Sequence, residues 1–460
     1  MQLKYFAGIL LCLFLISIDG RSQSKAIISG VAWFDQFNNE VNAHGACIVE
    51  NEGKYYLFGE YKSDTANVFT GFSCYSSSDL INWKFEKIVL PKQTSGLLGP
   101  NRIGERVKVM KCPETGEFVM YMHTDDMKYN DPQIGFASCK TINGDYQFQG
   151  ALLHEGNPIR RWDMGTFQDN DGKGYLLIHH GLIYELASDY KSAKRIVVSQ
   201  VPTGESPTIF KKNGVYFWLS SHLTSWERND NYYMTATSLE GPWKMRGLFA
   251  PEGSLTWNSQ CSFVLPITSA KDTFLMYMGD RWSFPHQGSA ATYVWQPISV
   301  KGDSMSIAQF QQSWKINLSK GQWYTLETKE ESIKDKYKVV SGNWNVENGK
   351  PSSKEKGAVI SYSFKGTQVG IKAVSNSTGG YAKVIIKNSK NEEIISTLVD
   401  FYSKYEYSSL KFLSPLMKND KYTVSIEVSG EHSKWSDKRK NDYGSTDNFI
   451  IIEDVLVFKD

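Results

Sequence analysis

The sequence predicts an all-β chain, a five-bladed β-propeller followed by a β-sandwich of jelly-roll type. Three observations carry that expectation. Paired aromatic, alternating segments recur five times between residues 54 and 295, at intervals of roughly 40 to 60 residues, the period of propeller blades. Apolar residues spaced three and four apart, the mark of amphipathic helices, are absent. Beyond Trp323 the alternation resumes in shorter, more polar strands after a Lys/Glu-rich stretch, which suits a second β domain.

The elements follow in order. Lys4 precedes an apolar run from Phe6 to Ile18, and Ser22 and Ser24 follow, the layout of a secretory leader with a small-residue cleavage site. Residues 1–24 are therefore expected to be removed, and a secreted or periplasmic location follows. Cys12 inside the run makes a lipoprotein anchor the lesser alternative. The run is too short for a membrane helix, which needs about 20 residues, and no other stretch suits one. Residues 25–325 carry the repeats: Lys54–Phe58 with Gly71–Ser76, Glu117–Met122 with Ile134–Cys139, Asp171–Ile178 with Leu182–Leu186, Asn213–Leu219 with Tyr232–Thr237, and Asp272–Met278 with Ala291–Trp295. Gly or Asn-Gly turns open most pairs, and a charged turn such as Ser78-Asp79-Leu80-Ile81-Asn82-Trp83 closes them. Glu327 to Lys338 reads as a linker. Residues 335–460 form the sandwich, with strands expected at Ala358–Phe364, Gln368–Ala373, Tyr381–Lys387, Tyr422–Val428 and Phe449–Phe458, separated by turns such as Asn376-Ser377-Thr378-Gly379-Gly380.

Composition narrows the partners. With 51 Lys+Arg against 49 Asp+Glu, the charge balance argues against a nucleic acid or an anionic membrane surface. Aromatics reach 13 %, with 13 Trp and 25 Tyr; such rings stack on the C–H faces of sugars, although strands favour aromatics in any case. The cysteines of the mature chain, Cys47, Cys74, Cys112, Cys139 and Cys261, are odd in number and lack metal-ligand spacing, so they read as small buried hydrophobes. No metal and no cofactor is expected.

In a propeller the starts of the inner strands converge on a central channel, so residues distant in sequence meet there. Glu205, ahead of Ser206-Pro207 and the fourth aromatic strand, and Asp163 and Glu105, ahead of the third and second, occupy equivalent places. Carboxylates so gathered suit glycosidic cleavage, in which a protonated acid serves the leaving oxygen. An inverting enzyme adds a second group about 6.5–9.5 Å away to activate water.

Residues 30–310 resemble glycoside hydrolase family 43, and within it the exo-β-1,3-galactanase branch. The resemblance rests on Asn42-Ala43-His44-Gly45, Phe58-Gly59-Glu60-Tyr61, Ser73-Cys74-Tyr75, Glu105-Arg106-Val107-Lys108-Val109, Asp163 ahead of Asp169-Asn170-Asp171-Gly172, Glu205-Ser206-Pro207, Ser259-Gln260 and Met278-Gly279-Asp280-Arg281-Trp282. It implies Glu205 as general acid, Asp163 as the residue tuning it, and Glu105 as a substrate-binding carboxylate. The base Asp usual in the family is missing at Asn42-Ala43-His44-Gly45. In the galactanase branch a Gln in the imidic-acid form is proposed for that role, and Gln260 corresponds to it. A neutral amide is a poor base, so Glu105 and His44 stay as competitors. His44, Glu60, Thr224, Trp226, Arg281 and Trp282 are the expected substrate-binding residues. The implied activity is exo-acting, inverting hydrolysis of galactan or arabinogalactan side chains. Departures at Cys261-Ser262, Gly204 and Ser206 bear on linkage and sugar specificity, with α-L-arabinofuranosidase and β-galactofuranosidase as alternatives within the class. A non-catalytic glycan-binding propeller that lost its base and kept its pocket is the alternative outside it. The C-terminal part resembles galactose-binding-like carbohydrate-binding modules, on Phe364-Lys365-Gly366-Thr367-Gln368-Val369-Gly370-Ile371 and Ile450–Phe458, with Trp344, Tyr402 and Trp435 as candidate sugar platforms.

Overall fold

The computed structural model describes residues 24–269, 273–326, 329–437 and 440–459. The expected leader up to residue 23, with Cys12 inside it, lies outside the described residues, as do Asp272 and Glu327.

Five sheets follow one another along the chain, four of them four-stranded and one, blade III, six-stranded. Blade I comprises His44–Asn51, Lys54–Glu60, Gly71–Ser77 and Lys84–Pro91. Blade II comprises Arg102–Lys111, Phe118–Asp126, Gln133–Cys139 and Gln147–Ala151. Blade III runs through Met164–Gln168, Gly174–Ile178, Leu182–Leu186 and Ala193–Val198, and two short strands, Leu153–His154 and Asn157–Pro158, extend its outer edge. Blade IV is Glu205–Lys212, Val215–Ser221, Tyr232–Ala236 and Lys244–Leu248; blade V is Gln260–Thr268, Thr273–Arg281, Thr292–Lys301 and Ser304–Ser306. The first strands of the blades touch in cyclic order, I to II to III to IV to V and back to I, so the sheets close into a ring.

The period of two in the strands explains the closure. Each blade is sandwiched between two others, so both of its faces must be apolar. In the second strand of blade II, Phe118, Met120 and Met122 pack toward blade I, whereas Val119 and Tyr121 pack toward blade III. The same division recurs around the ring, giving one apolar layer between each pair of neighbours. Fully buried side chains such as Leu57, Phe58, Tyr121, Trp218 and Trp295 each contribute about 1.5–3 kcal/mol. Beside the I–V seam, Ile27–Ile28 pairs with Ser313–Asn317, which pairs with Gln322–Thr325. Trp314 of that sheet is buried in the seam and donates its indole N–H to the Trp295 carbonyl at 3.0 Å.

The C-terminal part is two sheets over one core. One runs Asn345–Glu347, Lys350–Ser353, Ile450–Phe458, Gln368–Ser375, Tyr407–Leu413; the other runs Tyr337–Ser341, Val359–Gly366, Asp420–Val428, Tyr381–Asn388, Glu393–Asp400. Within the stretch read as a linker, Glu330–Ser332 is a strand paired with Ile450–Phe458. The aromatic residues expected as sugar platforms are not free to serve: Tyr402 and Trp435 are buried, and Trp344 packs against the sandwich core. Cys47, Cys74, Cys112 and Cys261 are buried free thiols, and Cys139 is half-buried. No helix among the described residues is long and apolar enough to cross a membrane.

Candidate active site

The inner strands bring the polar residues together by one recurring device. In blades I, II and IV the register slips near the strand start, between His44 and Cys47, Glu105 and Lys108, and Glu205 and Thr208. The residue after each site residue is left-handed: Gly45 (φ 58°), Arg106 (φ 57°) and Ser206 (φ 55°). A bulge of this kind breaks alternation, and it lets Glu105 and Arg106 both join the site. For Arg106 and Ser206 the backbone conformation costs about 1–3 kcal/mol each. Gly45 is required twice over, by its φ and because a Cβ there would lie 2.1 Å from Glu60 Oε1.

Glu205 sits at the centre. Its carboxyl is pushed up to about 8, first by burial and then by the charge of Asp163, with the Arg106 guanidinium pulling the other way. Asp163 is fixed by Arg106 Nε at 3.1 Å and by the Ser206 backbone N–H at 3.1 Å. Across from the acid, Gln260 is clamped at both ends. Its Oε1 accepts from Arg106 Nη2 at 2.6 Å and from the Trp282 indole at 2.9 Å. Its Nε2 donates to Ser221 Oγ at 2.8 Å and faces Glu205 Oε2 at 3.4 Å. Guanidinium and indole are donors only, so the amide oxygen must point at them and the nitrogen at the acid.

Gln260 follows an unusual turn. Leu255, Thr256, Trp257 and Asn258 are all left-handed, with φ of 52°, 53°, 57° and 55°. For L-residues this costs roughly 1–2 kcal/mol apiece. Arg281 secures the turn, donating to the carbonyls of Trp257 and Asn258, each at 3.0 Å, and Ser259 Oγ donates to the Thr256 carbonyl at 2.6 Å. Arg281 therefore supports the turn from behind and does not join the cluster around Glu205. Asp280, one residue earlier in the strand, does face inward: it accepts from the Gly45 N–H at 3.2 Å and lies 3.5 Å from His44 Nδ1. His44 stacks on Tyr293, centroids 5.0 Å apart.

Glu105 is held charged. Burial alone would raise its carboxyl, but His123, Lys62 and Asn67 outweigh it and hold it well below the usual range. Its Oε1 accepts from Asn67 at 2.7 Å and Tyr129 at 3.0 Å, and its Oε2 lies 3.3 Å from His123. Burial opposes a charge on His123, yet its bonds to Asp125 and Glu105 lift it to about 9. Glu105, His123 and Asp163 present ligand-type atoms within 4.8 Å of one another. The Arg106 guanidinium balances Asp163 within this group. Glu60 accepts from the Arg106 N–H at 2.8 Å and pairs with Lys62 at 2.5 Å.

Lys62 Nζ lies 5.5 Å from the Trp226 ring and 5.7 Å from the Trp282 ring, which places both tryptophans on one wall. Thr224 spends its hydroxyl inside the loop, donating to the Glu227 carbonyl at 2.7 Å and accepting from Asn229 at 2.7 Å, so it shapes the loop that presents Trp226. Of the expected residues, Glu205, Gln260, Asp163, Glu105, His44, Glu60, Trp226 and Trp282 are thus brought together, and Arg281 and Thr224 act from outside. Arg106, Lys62, Asp280, Ser221 and His123 complete the cluster unforeseen. Trp162, beside Asp163 and 41 % exposed, stands at the rim. A cavity of about 810 Å³ lies elsewhere, between the back of Arg281 and the sandwich.

A ring of five sheets whose inner strands pool a protonated carboxylic acid, charged carboxylates and a tryptophan wall is the site of a glycoside hydrolase. The model of glycosyl hydrolases family 43 matches residues 40–249. A solved chain from Bifidobacterium bifidum S17, assigned as an exo-β-1,3-galactanase, is 38 % identical over 61 % of this chain and 95 % of its own, with a TM-score of 0.57. The Phanerochaete chrysosporium exo-β-1,3-galactanase, solved with β-1,3-galactotriose, is 26 % identical over 93 % of this chain and 99 % of its own, with a TM-score of 0.68. A β-1,3-galactosidase solved with galactodeoxynojirimycin is 28 % identical over 62 % of this chain and 99 % of its own, with a TM-score of 0.57. Comparison with curated proteins found no match. The chain belongs to glycosyl hydrolases family 43.

Proposed function

We propose that the protein is an exported, exo-acting β-1,3-galactan hydrolase that releases terminal galactose with inversion. The observation carrying this reading is the opposition of Glu205 and Gln260. A carboxyl raised to about 8 is protonated at neutral pH, and it faces an amide held in one orientation by Arg106 and Trp282. The names of the relatives supply the sugar and the exo mode.

In this mechanism Glu205 gives its proton to the glycosidic oxygen as the C1–O bond breaks. Asp163 keeps the acid protonated beforehand. Water attacks C1 from the opposite face and passes its proton to the nitrogen of Gln260 in the imidic-acid form. This requires the entering sugar to part Gln260 and Glu205 from 3.4 Å to the roughly 6.5–9.5 Å of an inverting pair. The resulting protonated amide returns a proton from Nε2 to the Glu205 carboxylate, its neighbour at 3.4 Å, which resets both groups. Glu105, held charged, accepts hydrogen bonds from sugar hydroxyls, and the Trp226 and Trp282 wall takes the apolar face of the ring.

Digestion of β-1,3-galactan followed by proton NMR from the first turnovers tests the reading. Galactose should be the sole early product and should appear first as the α-anomer. Oligosaccharides as first products, or initial β-galactose, would reject it. Mass spectrometry of the exported protein should find its N-terminus near residue 25; an intact Met1 would reject export.

A further inference from the structure

We propose that Asp400 and Tyr402 of the C-terminal sandwich are positioning residues for hydrolysis in the propeller, acting through Arg228 and Trp282 on the amide of Gln260. The inference rests on the reading that Gln260 takes part in the reaction.

The connection is a continuous chain of buried bonds. Trp282 holds Gln260 Oε1 by its indole N–H at 2.9 Å. The carbonyl of Trp282 accepts from Arg228 Nη2 at 2.6 Å. The next residue, Ser283, donates its hydroxyl to Asp400 Oδ2 at 2.9 Å, and its carbonyl accepts from Tyr381 OH at 3.1 Å. Tyr402 OH donates to Glu227 Oε2 at 2.6 Å, and the other oxygen of Glu227 accepts from the Arg228 backbone N–H at 3.0 Å. The Arg228 guanidinium lies 5.5 Å from the Tyr402 ring centroid and 3.9 Å from Asp400. Asp400 also fixes Tyr402, accepting from its backbone N–H at 2.8 Å. Glu227, Arg228, Trp282, Ser283, Asp400 and Tyr402 are all buried.

The propeller by itself leaves this corner incomplete. Without the sandwich, the Glu227 carboxylate loses Tyr402 and the Arg228 guanidinium loses Asp400 and the Tyr402 ring, keeping the Trp282 carbonyl at 2.6 Å and Glu227 at 3.9 Å. The backbone after Trp282 loses the bonds to Asp400 and Tyr381. Trp226 and Trp282, which bracket this network, are the two rings of the sugar wall. A shift of the indole would release one of the two donors that orient the amide, and small misplacements of reacting groups cost up to about a hundredfold in rate.

Steady-state kinetics on β-1,3-galactobiose test this with the full chain. Tyr402→Phe and Asp400→Asn should each lower kcat about tenfold with KM changed less than twofold, while the thermal midpoint stays well above the assay temperature. Trp282→Phe should lower kcat similarly, and adding Tyr402→Phe to it should cause little further loss, because both act through the same indole. Asp400→Glu keeps the charge and should recover part of the loss. Unchanged kcat, a rise in KM alone, or multiplicative losses in the double variant would overturn the inference. Gln260→Ala measured alongside separates the two ideas. Wild-type turnover there would sink the role of the amide, whereas loss there with unaltered Tyr402→Phe and Asp400→Asn would sink only the sandwich's part.

Discussion

Replacing Asp163 by Asn isolates the electrostatic half of the mechanism. Glu205 at about 8 is roughly nine-tenths protonated at pH 7, whereas a carboxyl at its ordinary 4.5 would be protonated only about three times in a thousand. After burial, the charge of Asp163 is the largest contributor to that elevation. Its removal also unpairs the Arg106 guanidinium, 3.1 Å from Asp163, which then draws the Glu205 proton off more strongly. Both changes act in one direction. Asn keeps an oxygen for the Ser206 N–H, so the local fold survives. The alkaline limb of kcat/KM, which reports the acid in the free enzyme, should move down by on the order of one pH unit, equivalent to about 1.4 kcal/mol. At pH 8 the protonated fraction then falls from about a half to about a tenth. Initial rates of galactose release from β-1,3-galactobiose between pH 5 and 10, well below KM, measure the limb. An unmoved limb, or one displaced upward, would refute the argument.

Three further outcomes are expected. Glu205→Gln should be more stable than wild type at alkaline pH: a carboxyl raised in the folded state destabilises the fold progressively as pH rises from about 4.5 to about 8, and the relative gain should reach on the order of 2–4 kcal/mol above that window. Thermal midpoints across pH 4 to 9 check this, and a difference independent of pH would contradict it. Arg281→Met strips the donors from the Trp257 and Asn258 carbonyls and should cost roughly 2–4 kcal/mol, with kcat also reduced because the turn carries Gln260; calorimetry and turnover numbers within 1 kcal/mol and twofold of wild type would tell against the clamp. Gln260→Ala should lower kcat by about 10²–10⁴, whereas Glu105→Gln should chiefly raise KM. The opposite pattern would make Glu105 the base.

The sequence showed most where burial is two-sided. The second and third strands of each blade, such as Phe118–Asp126 and Gln133–Cys139, pack on both faces and therefore read as dense apolar runs. Outer strands such as Lys244–Leu248 and Ala193–Val198 are largely exposed and polar, so they left no trace in the pattern. In the sandwich, Glu393–Asp400 and Tyr407–Leu413 also went unseen, although they bury Ile395, Val399 and Phe412 in the core. Within the site, alternation could have chosen between neighbours. Asp280 and Trp282 share a face and Arg281 does not, so naming Arg281 with Trp282 ignored the period of two. Arg106 was harder to find, because only the bulge at Glu105 turns two successive residues into the site. The left-handed turn at Leu255–Asn258 contains no glycine to announce it, and nothing local marked Tyr402 as buried against Glu227.

The most direct test of Glu205 as the acid compares leaving groups. Wild type and Glu205→Gln are assayed on β-1,3-galactobiose, whose sugar leaving group needs a proton, and on 2,4-dinitrophenyl β-galactoside, whose phenolate does not. The mechanism predicts a loss of about 10³ or more on the disaccharide and a far smaller one on the aryl galactoside. Equal losses on the two substrates, or full activity on the disaccharide, would contradict it.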